Sequence, residues 1–143
     1  MIKFASLTEV LPLRSLVLRN GKAIGECVFH GDEAESSIHL ANSIDDEIIS
    51  VLTFHAADLP EFEGHGFQLR GMGTLPNHRG KGAGNQLLNF GVTFLRGRKV
   101  NYIWCNARLS ALSFYRGMGF ELISEEFIIE GIGPHRKMYL KIL

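Results

Sequence analysis

No disulfide framework and no metal-ligand spacing can be drawn through this chain. Its two cysteines, Cys27 and Cys105, stand alone, and Cys105 reads as a small hydrophobe inside a strand. No apolar stretch nears the roughly 20 residues that a membrane-spanning helix needs. Lys3, Glu9 and Arg14 interrupt what would have to be the apolar core of a signal peptide, so none is expected. Net charge is missing as well. Fifteen Lys and Arg offset fifteen Asp and Glu, which removes the global field that recruits nucleic acid or an anionic membrane. Arg96, Arg98 and Lys99 cluster as a solvated helix end rather than a binding patch. These absences lead us to expect a protein of the reducing cytoplasm with no metal, no nucleic-acid partner and no membrane partner. At 143 residues, 45% apolar and 21% charged, it reads as one globular domain, 1–143.

Glycine is plentiful, and its placement is the most informative feature. Leu75-Pro76-Asn77-His78-Arg79-Gly80-Lys81-Gly82-Ala83-Gly84 lies between an expected strand, Gln68 to Leu75, and an amphipathic run. In that run Leu87, Leu88, Gly91, Phe94 and Leu95 fall on one helical face. A glycine-rich turn opening a helix offers unpaired N–H groups and the positive end of the helix dipole, hence an anion site. Arg79 and Lys81 add charge, and Gly82 and Gly84, lacking a Cβ, let a diphosphate approach the backbone. A Walker A loop would need Gly-x4-Gly-Lys-Ser/Thr, which is absent. A dinucleotide fingerprint would need Gly-x-Gly-x-x-Gly and an acid ending the next strand, where Cys105-Asn106 stands instead. A plain glycine-rich turn is the remaining competitor.

A second block weakens that competitor. Val100 to Cys105 is a short apolar run suited to a buried strand and ends at Asn106. Ser110 then stands where an N-cap would open a short helix bearing Ala111, Leu112, Phe114, Tyr115 and Met118, stopped by Gly117 and Gly119. The loop Arg79-x-x-Gly82-x-Gly84 after strand–Pro resembles the pyrophosphate loop of the GNAT acyl-CoA N-acyltransferases. The order Asn-Ala-Arg, Ala-Leu-x-Phe-Tyr, Gly-Met-Gly-Phe is similar to that family's second cofactor motif. The likeness extends to a subgroup of unassigned acceptor. It is carried by Leu11 to Arg19, Gln68 to Met72, Trp104 to Arg108 and Gly131 to His135.

The resemblance implies an α/β GNAT fold: a mixed, mostly antiparallel sheet, splayed beside the strand before the loop and flanked by helices on both faces. It implies acetyl-CoA as co-substrate and direct transfer to the amine of a small molecule. Monomer and homodimer are both left open. Along the chain we expect strands at Met1–Phe4, Ile38–Ala41 and Glu47–His55, and a helical region at Leu7–Leu18 broken or restarted by Pro12. Ile24–Phe29 reads as extended, 56–67 as loop, and Glu121–Ile129 with Lys137–Leu143 as a final strand pair.

The resemblance also assigns roles. The backbone of Met72, Gly73 and Thr74 holds the pantetheine, and an N–H near Met72 polarises the thioester carbonyl. Gly71 and Gly73 weaken a strand unless something approaches closely, which agrees. Arg79, Gly80, Lys81, Gly82, Ala83 and Gly84 hold the diphosphate. Asn106 bonds the pantetheine amide, its alternative being a strand-ending turn residue. Arg108 contacts phosphate or ribose, or is merely solvated. Tyr115 is the candidate general acid for the leaving thiolate, its alternative being an aromatic core residue. Several relatives carry Glu near Gln68, where an amide cannot accept a proton. The base candidates are therefore His39, Glu26, Asp32 and His135, or an ordered water, unless the acceptor amine arrives already deprotonated. Strand alternation sets Gln68, Arg70, Met72 and Thr74 on one face. Arg70 then invites an acceptor bearing a carboxylate, its alternative being an ion pair with Glu26 or Glu126. Gln68, Arg70, His39 and His135 form the candidate acceptor set. A non-catalytic acyl-CoA sensor is the second reading, resting on Gln68 alone.

Overall fold

Alternation along two central strands decides where the helices pack. In a computed structural model describing residues 1–143, Leu40 and Leu52 join one apolar core while their neighbours Ala41 and Val51 join another. Successive side chains of a strand point to opposite faces, so the sheet is covered on both. The strands are β1 (Ile2–Ala5), β2 (Ile38–Ile44), β3 (Glu47–Ala56), β4 (Gly66–Thr74), β5 (Tyr102–Arg108), β6 (Glu121–Leu122), β7 (Phe127–Ile129) and β8 (Gly133–Lys141). They form one sheet in the order β1-β2-β3-β4-β5-β8-β6, with β7 also on β8, and only β4 and β5 run parallel. Helix α1 (Leu7–Leu18) covers one face through Val10 and Leu13; α2 (Ala83–Gly97) covers the other through Leu87, Leu88 and Leu95. A short α3 (Leu112–Gly117) follows β5. Gly91 is what lets α2 lie so close, because a Cβ there would sit 2.5 Å from Phe54 Cε2. The mixed, mostly antiparallel sheet with helices on both faces is the architecture that the sequence led us to expect.

Several local expectations fail for identifiable reasons. Pro12 does not break α1. Its missing N–H would have met the Thr8 carbonyl, and both residues are exposed, so the lost bond does not bury an unpaired oxygen in the core. A full capping box, Ser6 with Glu9, starts the helix. Ile24–Cys27 is a 3-10 turn rather than extended chain, held where the Cys27 carbonyl accepts the Arg14 guanidinium at 2.9 Å. The stretch Glu121–Ile129 splits into β6 and β7, because Ser124 turns to bond Arg136 and the Lys137 amide. The final strand starts at Gly133 rather than Lys137. Ser110 caps nothing: it lies inside a 3-10 turn, Leu109–Ala111, and α3 starts without a side-chain cap.

Candidate functional site

The site begins as a failure of pairing. β4 and β5 are joined only at Gly66–Tyr102, Phe67–Ile103 and Gln68–Trp104; beyond Gln68 they part. β3 still holds the far edge of β4, and β8 the far edge of β5 along its whole length. The facing backbone groups across the gap are left without a ladder. The resulting cleft encloses about 970 Å³.

A bulge on β4 shapes it. Val51 pairs with Gly73 and Thr53 with Arg70, so one residue of β3, Leu52, opposes two of β4, Gly71 and Met72. Gly71 takes φ +59, a left-handed conformation that suits glycine at a bulge. The insertion resets alternation. A Cβ on Gly71 would meet Arg14 and Phe29, on the α1 side. Met72 and Thr74 instead lie within 3.2 and 3.6 Å of a Cβ placed on Gly84 of α2. Arg70 stands over Phe29, on the α1 side. The expectation that Gln68, Arg70, Met72 and Thr74 share one face is therefore wrong. The bulge divides them, and Arg70 lies across the sheet from the Met72 side chain.

On the α2 side, Gly80 (φ +74) and Gly82 (φ +85) curve the loop so that a Cβ on either would meet nothing within 4 Å. Gly82 is the N-cap of α2 and offers no side-chain cap, so the amides of Ala83, Gly84 and Asn85 precede the first intrahelical bonds unpaired. Arg79 lines the cleft and is steadied by its Nε bond to the Thr74 carbonyl at 3.2 Å. Two residues depart from expectation. Gly84 serves close packing of α2 on Met72 rather than open approach to a phosphate. Lys81 is exposed and outside the cleft lining.

Deeper in, Asn106 lines the cleft with its Oδ1 buried and without any partner, an orphan acceptor aimed where nothing in the protein meets it. Tyr115 is 9% exposed, and its hydroxyl has only the Met72 sulfur, at 3.9 Å. Burial, reinforced by Cys105, raises the phenol well above its ordinary value, so it keeps its proton. Burial likewise pushes the Cys105 thiol up to about 12, leaving an unreactive thiol in the cleft wall. Arg108 is exposed at the mouth and reaches the Leu18 carbonyl at 3.4 Å.

On the α1 side, Gln68, Arg70 and His135 line the cleft, and His39 does not. His39 is buried in a network. Thr53 Oγ1 receives Arg14 Nη2 at 3.0 Å and so gives its own proton to His39 Nδ1 at 2.7 Å; His39 Nε2–H donates to the Asp32 carbonyl. Burial lowers His39, which stays neutral. Asp32 is fully enclosed, bonded to Arg14 Nη1 at 2.6 Å, His55 Nε2 at 2.8 Å and the Phe29 amide at 2.6 Å. Burial alone would raise its carboxyl, yet these donors hold it well below the usual carboxylate range. Glu26 is exposed and away from the cleft. Of the four base candidates only His135 reaches the site. Its Nδ1 lies 2.8 Å from the Gly133 carbonyl, which can only accept, so Nδ1 carries a hydrogen and the lone pair of the neutral ring falls on Nε2, which has no protein partner.

Against this geometry we set the comparisons with known proteins. The model of the acetyltransferase (GNAT) family matches residues 12–120. The chain belongs to that family. An uncharacterised N-acetyltransferase, YitI of Bacillus subtilis (strain 168), is 34% identical over 139 residues, covering 96% of this chain and 93% of its own. The chain is an N-acetyltransferase with acetyl-CoA as co-substrate. Among solved structures, an aminoglycoside 6'-N-acetyltransferase complexed with coenzyme A has TM-score 0.78 at 13% identity, covering 100% of this chain and 97% of that one. The ribosomal-protein-S18-alanine N-acetyltransferase of Escherichia coli has TM-score 0.73 at 16% identity, covering 99% and 94%. At such identities the likeness is one of fold alone.

The lining of this cleft carries charge of one sign. Arg19, Arg70, Arg79 and Arg108 line it and no Asp or Glu does, although the whole chain is neutral. Arg70 pairs with neither Glu26 nor Glu126, nor with any other carboxylate. Its guanidinium stands 4.3 Å from the Phe29 ring centroid. Burial, with Arg14 and Arg19 nearby and only Asp32 opposing, depresses it from its ordinary value: a cation short of counter-charge. Arg19, Phe29, Ile129 and Ile132 also line the cleft and escaped the sequence reading. Gly71 inside an expected strand was the one available signal, since an isolated strand glycine marks a bulge. No group of three His, Cys, Asp or Glu is arranged to hold a metal ion.

Proposed function

We propose that this enzyme acetylates small primary amines that also bear a carboxylate. The observation that carries the reading is a cleft lined by four arginines and no acid, with Arg70 among them paired to no carboxylate. A polycationic acceptor would find no counter-charge there, whereas a carboxylate would meet a guanidinium suited to bidentate recognition.

Acetyl-CoA supplies an acyl group activated as a thioester. The free amides at the start of α2 and Arg79 would hold its diphosphate. Asn106 Oδ1 would accept from a pantetheine amide, and the unpaired β4 backbone would hold the arm. An amide near Met72 would polarise the thioester carbonyl. Nε2 of His135 takes the proton that the amine sheds as its C–N bond forms. The Tyr115 hydroxyl gives its proton to the sulfur as the C–S bond breaks. Solvent then reprotonates Tyr115 and takes the proton from His135, so charge and atoms balance. A histidine base removes the need for Glu at Gln68 and favours turnover over a sensor role. We further propose that residues 1–143 act as a single catalytic domain in the cytoplasm.

Paired acceptors test the acceptor class: β-alanine against its amide, and glycine against methylamine. The carboxylates should show the higher kcat/KM by on the order of tenfold or more, and Arg70→Gln should raise their KM without a like change for acetyl-CoA. Equal rates across each pair would make Arg70 structural.

A further inference from the structure

The β7–β8 hairpin that carries His135 has a second feature. Ile129 ends β7, Ile132 sits in the turn, and both line the cleft. Ile132 is 45% exposed, a large apolar side chain left facing solvent inside a site. Leu18 and Phe29 line the cleft from the α1 side. On this side of the lining the neutral hydrogen-bonding side chains are Gln68, His135 and Asn106, the last assigned above to the pantetheine arm, which leaves few partners for a sugar or polyol. The lining thus offers the guanidinium of Arg70, with Arg19 and Arg108 also present, one free imidazole nitrogen and an apolar wall. We propose that the acceptor is a free amino acid with an apolar side chain. Its amine would go to His135, its carboxylate to Arg70, and its side chain would be covered by Ile129, Ile132 and Phe29.

This rests on the carboxylate reading above and adds the side-chain pocket to it. Each methylene taken out of water strengthens binding by a few-fold, so the trend across a series reports the wall directly. With acetyl-CoA saturating, free-thiol release is measured for alanine, valine, leucine and phenylalanine, with leucinamide beside them. Leucine should exceed alanine in kcat/KM by on the order of tenfold or more, and Ile132→Ser should bring that ratio toward one. If alanine and leucine are equal while leucinamide is poor, the apolar pocket is refuted and the carboxylate reading stands. If leucinamide matches or beats leucine, the carboxylate reading fails and this inference with it. If none of the series is acetylated, both are wrong.

Discussion

Gly71→Ala is the perturbation that bears most directly on how the site is shaped. Gly71 has φ +59, where an alanine costs about 1–2 kcal/mol. Its new Cβ would also stand 2.9 Å from Arg14 Nε and 3.2 Å from Phe29 Cε2. Arg14 is 0% exposed and holds Asp32 at 2.6 Å and Thr53 at 3.0 Å, so it has little room to retreat. Disturbing a buried charge-assisted bond adds about 1–3 kcal/mol. The variant should lose about 2–5 kcal/mol, or roughly 10 °C in Tm for a chain of this size. Gly80→Ala is the internal control: its φ is +74, but its Cβ would enter open space, so only the backbone cost applies. Thermal and urea unfolding of both variants separate conformational strain from the collision with Arg14. A Gly71→Ala protein no less stable than Gly80→Ala would refute the view that the bulge is packed against the Arg14 network.

Three further outcomes follow from the site and its supports. Gly82→Asp puts bulk and negative charge at the start of α2 and should abolish the rise in Tm that acetyl-CoA produces in the wild type; an undiminished rise in the folded variant would move the diphosphate elsewhere. Tyr115→Phe removes one hydroxyl from a buried ring, so acetyl-CoA affinity should hold within about a few-fold while kcat falls on the order of 10²-fold; wild-type turnover would leave Tyr115 a core residue with water as the proton source. His39 is held below its ordinary value of about 6.5, so its contribution to stability is complete above that pH and is lost as pH falls. Asp32, a carboxylate also held low, adds its loss only in a more acidic window, below about pH 4. His39→Gln should therefore flatten the Tm–pH curve between pH 7 and 5, and a curve unchanged in that range would take His39 out of the acid response.

The donor half of the site was legible because its physics is local. A glycine-rich turn opening a helix exposes amides whatever surrounds it, and Asn106 and Tyr115 stand at fixed spacings around one strand end. The acceptor half was less legible because it depends on the bulge. One extra residue at Gly71 moved Arg70 to the face opposite Met72, and simple alternation could not show which way the count would break. His39 looked like a site residue because a histidine in a strand carries no mark of its surroundings. Only the fold encloses it with Thr53, Asp32 and Arg14. His135 and Phe29 come from segments distant in sequence, and no spacing rule brings them to the same cleft. The unbroken passage of α1 through Pro12 likewise depended on exposure, which tertiary packing sets.

A single competition tests the assignment of function most directly. The enzyme is given acetyl-CoA and an equimolar pool of free amino acids, their decarboxylated amines, a polyamine and an aminoglycoside, and the acetylated products are identified by mass spectrometry. Acetylated amino acids should dominate, with the decarboxylated amines and the polycations trailing by on the order of tenfold or more. Preferential acetylation of the polyamine or the aminoglycoside, or a pool left unacetylated by folded enzyme that binds acetyl-CoA, would contradict it.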